Sequence, residues 1–182
     1  MANLPRTPLA ERELFVIVDF RGTGFQHKDA VFRHNPMKLV RARKDALFHF
    51  FGDKNFHFLE RRGEFGQTSH AKLLEHYART AFVLSPAGGG YECMRTWEAL
   101  NMGAIPILQR YRPNDFVYED LPVMWVDEYT PDEINADTLK KTRDEIVKNI
   151  AAGKYNMAKL TNSWWMELIR KKATDGYGQQ RN

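Results

Sequence analysis

The densest chemistry in the chain lies between residues 82 and 108: Ser85-Pro86, Gly88-Gly89-Gly90-Tyr91, Arg95, Glu98, and then Gly103-Ala104-Ile105-Pro106-Ile107. Consecutive glycines let a backbone come close to a ligand. The apolar run before them reads as a buried strand, and the residues after them as an amphipathic helix stopped by Gly103. A helix starting directly after such a turn aims its unpaired N–H groups and positive dipole end over the turn, which is an anion site used most often for phosphates. Arg95 and Glu98 share a helix face. A guanidinium suits a diphosphate, and a carboxylate that accepts from two donors at once suits a sugar diol. Ser85 either donates to a phosphate or caps the turn, and Tyr91 leans on the ligand or on the core.

Each residue also has a purely structural reading. The glycines alone would be a flexible surface turn. Arg95 alone would be an exposed cation paired with Glu92 or Glu98, contributing tenths of a kcal/mol. Against this, an arginine near a helix start opposes the dipole and asks for an anion. Trp97 reads as core rather than as a base-stacking platform, and Cys93 as a packed thiol.

A second glycine turn, Arg21-Gly22-Thr23-Gly24, follows the apolar run Leu14 to Phe20. It lacks the third glycine and the immediate helix of a dinucleotide fingerprint. It reads instead as a loop closing over the distal phosphate or the sugar, with Arg21 as its charge, Gly22 among its candidate substrate-binding residues and Arg33 as a weaker candidate of the same type as Arg21. The histidines have no metal spacing and no Asp-x-Asp occurs, so no metal ligand set and no cofactor is expected.

The elements that must position these residues alternate between strand and helix. Strands are expected at residues 14–20, 56–59, 82–85, 104–108 and 123–126. Asn35-Pro36 opens a helix with Met37, Val40, Leu47, Phe48 and Phe51 on one face and Gly52 as its stop. Ser69 caps the next helix, whose apolar positions are Leu74, Tyr77, Ala78 and Ala81. Residues 109–121 read as a connection with one helical turn. Thr130-Pro131-Asp132-Glu133 reads as a capping box opening a helix to about residue 153. A last helix is expected over 156–172. This is an α/β pattern: a Rossmann-like three-layer α/β/α domain with a mostly parallel sheet of about five strands. If the strands that precede the two glycine loops are neighbours, the order is 2-1-3-4-5 and both loops meet at the switch point. The expected division is an N-terminal extension at 1–13, one domain over 14–174 and a frayed tail at 175–182.

Ser85-Pro86, Gly88, Gly90, Arg95-Thr96-Trp97-Glu98-Ala99-Leu100 and Gly103-Ala104-Ile105-Pro106-Ile107, in that order, resemble the donor-binding signature of exostosin-like glycosyltransferases. The resemblance covers roughly residues 14–129. It implies the C-terminal, nucleotide-sugar-binding half of a GT-B enzyme, which has two Rossmann-like halves. It further implies a UDP-type nucleoside-diphosphate sugar as donor and a carbohydrate or glycoconjugate acceptor. Pro86 and the glycines would then line the donor, and Glu98 would accept from the ribose hydroxyls. Arg95 and Arg21 would stabilise the departing diphosphate in place of a metal. The acceptor's base would come from the other half, so an acceptor-binding domain or subunit, or a second copy of the chain, is the expected partner. The alternative is a non-catalytic nucleotide- or nucleotide-sugar-binding module that needs such a partner.

Composition agrees with a folded domain: 182 residues, 43% hydrophobic and 13% aromatic, are enough for a substantial core. One cysteine excludes an internal disulfide. No apolar run approaches a bilayer-spanning length, and the first residues do not read as a signal peptide, so a soluble, cytoplasmic protein is expected. The net charge of +4 suits a phosphate-bearing small ligand, and without an arginine-rich tail or stacking-aromatic motif no nucleic-acid partner is expected.

Overall fold

A computed structural model of the chain describes residues 6–19, 48–50, 52–59, 69–87, 92–110 and 112–179. Its centre is a five-stranded sheet in the order β2-β1-β3-β4-β5, with every pair parallel. The strands are β1 Glu13–Val18, β2 Phe56–Phe58, β3 Thr80–Leu84, β4 Ile105–Gln109 and β5 Met124–Val126. The helices are α1 His70–Arg79, α2 Met94–Asn101, α3 Arg112–Tyr118, α4 Ala136–Ala151 and α5 Asn162–Gln179. The expected strand order and α/β class are those observed.

Alternation along the strands explains the layers. Val16 and Val18 of β1, Phe82 and Leu84 of β3, and Ile105 and Ile107 of β4 meet Ile134, Leu139 and Ile146 from α4 and the turn before it. Ile17 and Val83 point the other way, onto Leu73, Tyr77 and Ala78 of α1 and Ala99 of α2. A third cluster, Leu100, Leu108, Tyr118, Leu121 and Val123, wedges α3 against α2 and the sheet. Strands buried on both faces can be continuously apolar, and the run Leu14 to Val18 is.

Several local expectations are corrected. The buried α1 positions are Leu73, Tyr77 and Ala78, with Leu74 half-buried, because Ala81 already belongs to β3. The four residues Thr130 to Glu133 form a turn rather than a capping box. Glu133 turns its carboxylate back onto the N–H groups of Asp127 and Glu128, at 2.8 and 2.7 Å. The box is supplied by Asn135 and Thr138, each side chain accepting from the other's backbone N–H. The connection after β4 holds the full helix α3 rather than one turn. The last helix is split, with a 3₁₀ turn Met157–Leu160 before α5, and α5 continues to Gln179. Phe48, expected on an apolar face, is 83% exposed, while Phe50 is buried and stacked on Phe56. The rest of the helix expected from Asn35 lies outside the described residues. Gly52, with φ of 87°, sits where that helix was expected to stop.

The expected N-terminal extension is part of the packing. Arg12 is buried, and its guanidinium donates to the carbonyls of Thr7 at 2.8 Å, Tyr77 at 3.1 Å, Thr80 at 3.2 Å and Met102 at 2.9 Å. The last three lie at the carbonyl-rich C-terminal ends of α1 and α2, where a cation is favoured. Burial, with some help from Arg6, lowers the Arg12 pKa to about 10, so the side chain stays charged at neutral pH.

Candidate functional site

Strand order reverses between β1 and β3, so the crevice beyond their carboxyl ends is where such sheets place ligands. Asp19, 2% exposed, directly follows β1. β3 ends on Ser85-Pro86, both buried, and Ala87. Glu92 precedes α2, whose N-cap is Cys93 with no capping hydrogen bond from its side chain. Ser85 and Thr96 join the strand end to the helix start through their hydroxyls, 2.9 Å apart and both buried. The Ser85 backbone is fixed as well: its N–H donates to the Ile107 carbonyl at 3.1 Å, and its carbonyl accepts from the Tyr129 hydroxyl at 3.4 Å.

Arg95 reaches back from α2 across the crevice. Its Nε donates to Asp19 Oδ1 in a short ion pair, and its Nη1 lies 3.4 Å from Cys93 Sγ. The other Asp19 oxygen accepts from the Tyr77 hydroxyl at 2.7 Å. One carboxylate therefore ties β1 to α1 and to α2. Burial works most strongly against the Arg95 charge, but the Asp19 carboxylate, with help from Cys93 and Tyr77, outweighs it in sum, so the guanidinium pKa is raised. Burial first, and then the Asp19 charge, push the Tyr77 hydroxyl well above its ordinary value, so it stays a donor.

Glu98 lies one turn further along α2, where its Oε1 is 2.9 Å from His70 Nε2 at the start of α1. Its side chain is 19% exposed and that of His70 66%, so this pair faces solvent where the Arg95 pair does not. Glu92 accepts from Trp97 Nε1 at 2.7 Å and so folds along α2. Trp97 is half-buried against Tyr118 and Trp165, as expected of a packing residue.

Of the residues singled out in the sequence, Ser85, Pro86 and Arg95 converge at the strand ends, and Glu98 lies on the same helix as Arg95. Arg21, Gly22, Arg33, Gly88, Gly89, Gly90 and Tyr91 lie outside the described residues. Sequence reasoning missed Asp19, Tyr77 and Thr96. A signal for Asp19 was present: a carboxylate at the end of an apolar strand, directly before a glycine turn, calls for a buried partner.

Among the described residues no group of three His, Cys, Asp or Glu side chains is placed to hold a metal ion, and no helix is long and apolar enough to cross a membrane. No protein-family model and no curated protein matches the chain.

Proposed function

We propose that this chain binds a nucleoside-diphosphate sugar as the donor-binding half of a glycosyltransferase. The observation that carries the reading is the convergence of Ser85 and the Arg95 guanidinium with the start of α2, at the carboxyl ends of β1 and β3. In this reading the diphosphate lies over the start of α2 and takes donors from Arg95 and from the Gly88-Gly89-Gly90-Tyr91 turn. Ser85 and Pro86 form the floor, and Glu98 accepts from the ribose hydroxyls. Arg21, Gly22 and Arg33, which follow β1 in sequence and lie outside the described residues, would contribute their charges and backbone to the same ligand. During transfer the bond between the anomeric carbon and the diphosphate oxygen breaks, and an acceptor hydroxyl oxygen bonds to that carbon. The acceptor's proton goes to a base on an acceptor-binding partner. Fixed cationic donors then stabilise the charge left on the diphosphate, the stage at which electrostatic help is worth most.

A second reading, a nucleotide-binding module without transfer chemistry, is favoured by one observation: Asp19 already neutralises Arg95. Thermal shift with UDP, GDP and their common sugars tests binding. A ligand at ~100 times its Kd stabilises by about 2.7 kcal/mol. Glu98→Ala is the better probe of the site, because Arg95→Ala would strand the buried Asp19 charge. A diphosphate shift that Glu98→Ala reduces supports the site, and no shift with any diphosphate refutes both readings. Release of UDP from the UDP-sugar in the presence of acceptor separates transferase from binding module.

A further inference from the structure

The flank of α2 that carries Trp97 and Asn101 borders an open cavity of about 620 Å³, closed by α3, the 3₁₀ turn Met157–Leu160 and the start of α5. That volume lies within the range of small-molecule sites, roughly 300–1,000 Å³. Its walls are aromatic: Trp97 and Trp165 meet edge to face with ring centroids 6.1 Å apart, and Phe116, 59% exposed, stands beside them. Both indole N–H groups are already bonded, Trp97 to Glu92 and Trp165 to the Lys159 carbonyl at 2.8 Å. The rings are therefore fixed before a ligand arrives, which removes much of the ordering cost of binding.

The polar lining is mostly neutral. Asn162 and the Asn101 amide oxygen face the cavity, while the Asn101 Nδ2 donates to the Trp97 carbonyl at 2.8 Å and the Thr161 hydroxyl donates to the Ala158 carbonyl at 2.7 Å and lies 3.0 Å from the Ser163 hydroxyl. The buried Lys159 ammonium is held by Asp120 at 3.1 Å and the Phe116 carbonyl at 3.3 Å, over the Trp164 ring, so its charge is spent inside the wall. Glu92 adds a carboxylate, which disfavours an anion and accepts from hydroxyls. Fixed aromatic surfaces take the C–H faces of a sugar ring, while amides and a carboxylate take its hydroxyls. We propose that this cavity binds a neutral saccharide. The proposal stands on its own lining and does not depend on donor binding at Arg95.

The test follows the indole N–H signals of the nitrogen-labelled full chain during titration with neutral gluco-, xylo-, manno- and N-acetylglucosamine oligosaccharides at millimolar concentration. Trp97 and Trp165 signals move with at least one series. Trp125, which lies under Arg110 at the β5 edge, stays in place. Phe116→Ala, an exposed position, weakens the response roughly three- to tenfold, the loss of one aromatic contact. No movement with any oligosaccharide overturns the proposal, as does an equal response of Trp125 or an undiminished response in Phe116→Ala. Movement with a nucleoside or a quaternary ammonium compound, and not with saccharides, overturns it too. A saccharide response without any UDP effect leaves this cavity standing and removes the donor site; a UDP shift without a saccharide response does the reverse.

Discussion

Asp19→Asn isolates the role of the buried carboxylate. The wild-type side chain is 2% exposed and accepts from Arg95 on one oxygen and from Tyr77 on the other. Asparagine keeps one acceptor and replaces the other with an amide donor. The Tyr77 hydroxyl can rotate to accept from that amide, so the main loss is the charge opposite Arg95. Breaking a buried pair by removing one partner costs about 3–5 kcal/mol. With the hydrogen bonds partly kept, the lower end applies, about 3 kcal/mol. For a chain of this size that lowers Tm by about 6–12 °C. Urea denaturation followed by circular dichroism measures the cost. Arg95→Met and the double variant complete a cycle, with an expected coupling of about 2 kcal/mol, above the ~0.5 kcal/mol within which independent sites add. The variant also leaves a cation without its carboxylate, so UDP stabilises Asp19→Asn more than the wild type. A cost below about 1 kcal/mol, or additivity in the cycle, refutes the idea that this pair organises the crevice.

Glu98→Ala, at a partly exposed position, leaves urea stability within about 0.5 kcal/mol and weakens UDP binding roughly tenfold or more; unchanged affinity by calorimetry removes Glu98 from the ribose. Alkaline stability follows from Tyr77 and Tyr118, whose pKa values burial raises above the ordinary 10.0, Asp19 adding to the first and Glu92 to the second. Above that pH the unfolded chain ionises both while the folded chain keeps them protonated, so stability falls as pH rises, by about 2.7 kcal/mol per pH unit for the two. Arg12, lowered to about 10, sheds its proton first in the folded state and offsets about half, leaving roughly 1.4 kcal/mol per unit. Urea midpoints across this range that stay flat or rise contradict the burial of the tyrosines. Gly103→Ala forces a side chain onto φ of 73° and brings a Cβ to 3.1 Å from Arg12 Nη2. The expected cost is about 1–2 kcal/mol by denaturant titration, and a neutral result would show the clamp at Arg12 to be slack.

The sheet order was readable in the sequence because the central strands β3 and β4 and the end of β1 are buried on both faces, so the apolar runs Val16 to Val18 and Ala81 to Leu84 stand out without any alternation to decode. Ser69 and Gly103 marked helix ends correctly because a cap and a left-handed glycine each act locally. Thr130 to Glu133 misled for the same reason: the motif is local, but tertiary structure recruited Glu133 to cap the bend after β5 and left Asn135 to open α4. At the site, Ser85, Arg95 and Glu98 were visible because they sit beside a glycine turn. The Asp19–Tyr77 contact was not, since 58 residues separate the two and only the parallel pairing of β1 with β3 brings them together.

Arg12 and Asp19 are the two ends of one mechanical unit. Arg12 binds the C-terminal carbonyls of α1 and α2, while Asp19 takes one donor from each of the same helices, Tyr77 and Arg95. β1, which lies between them in sequence, packs under both helices, so the helices are tied to it at a cation on one side and at an anion on the other. The signs match the dipoles at Arg12 and at the Asp19 carboxylate beside the start of α2; Arg95 sits at the wrong end of α2 for a cation, and the Asp19 carboxylate is what makes that placement tolerable. A fold that needed only to hold α2 in place could do so with a leucine at position 95 and an apolar residue at position 19, since well-packed apolar substitutes for buried pairs are often as stable or more so. The charged pair stands at the carboxyl end of the sheet rather than elsewhere in the core, and whether an anion competes with Asp19 for Arg95 there is what the UDP response of Asp19→Asn decides.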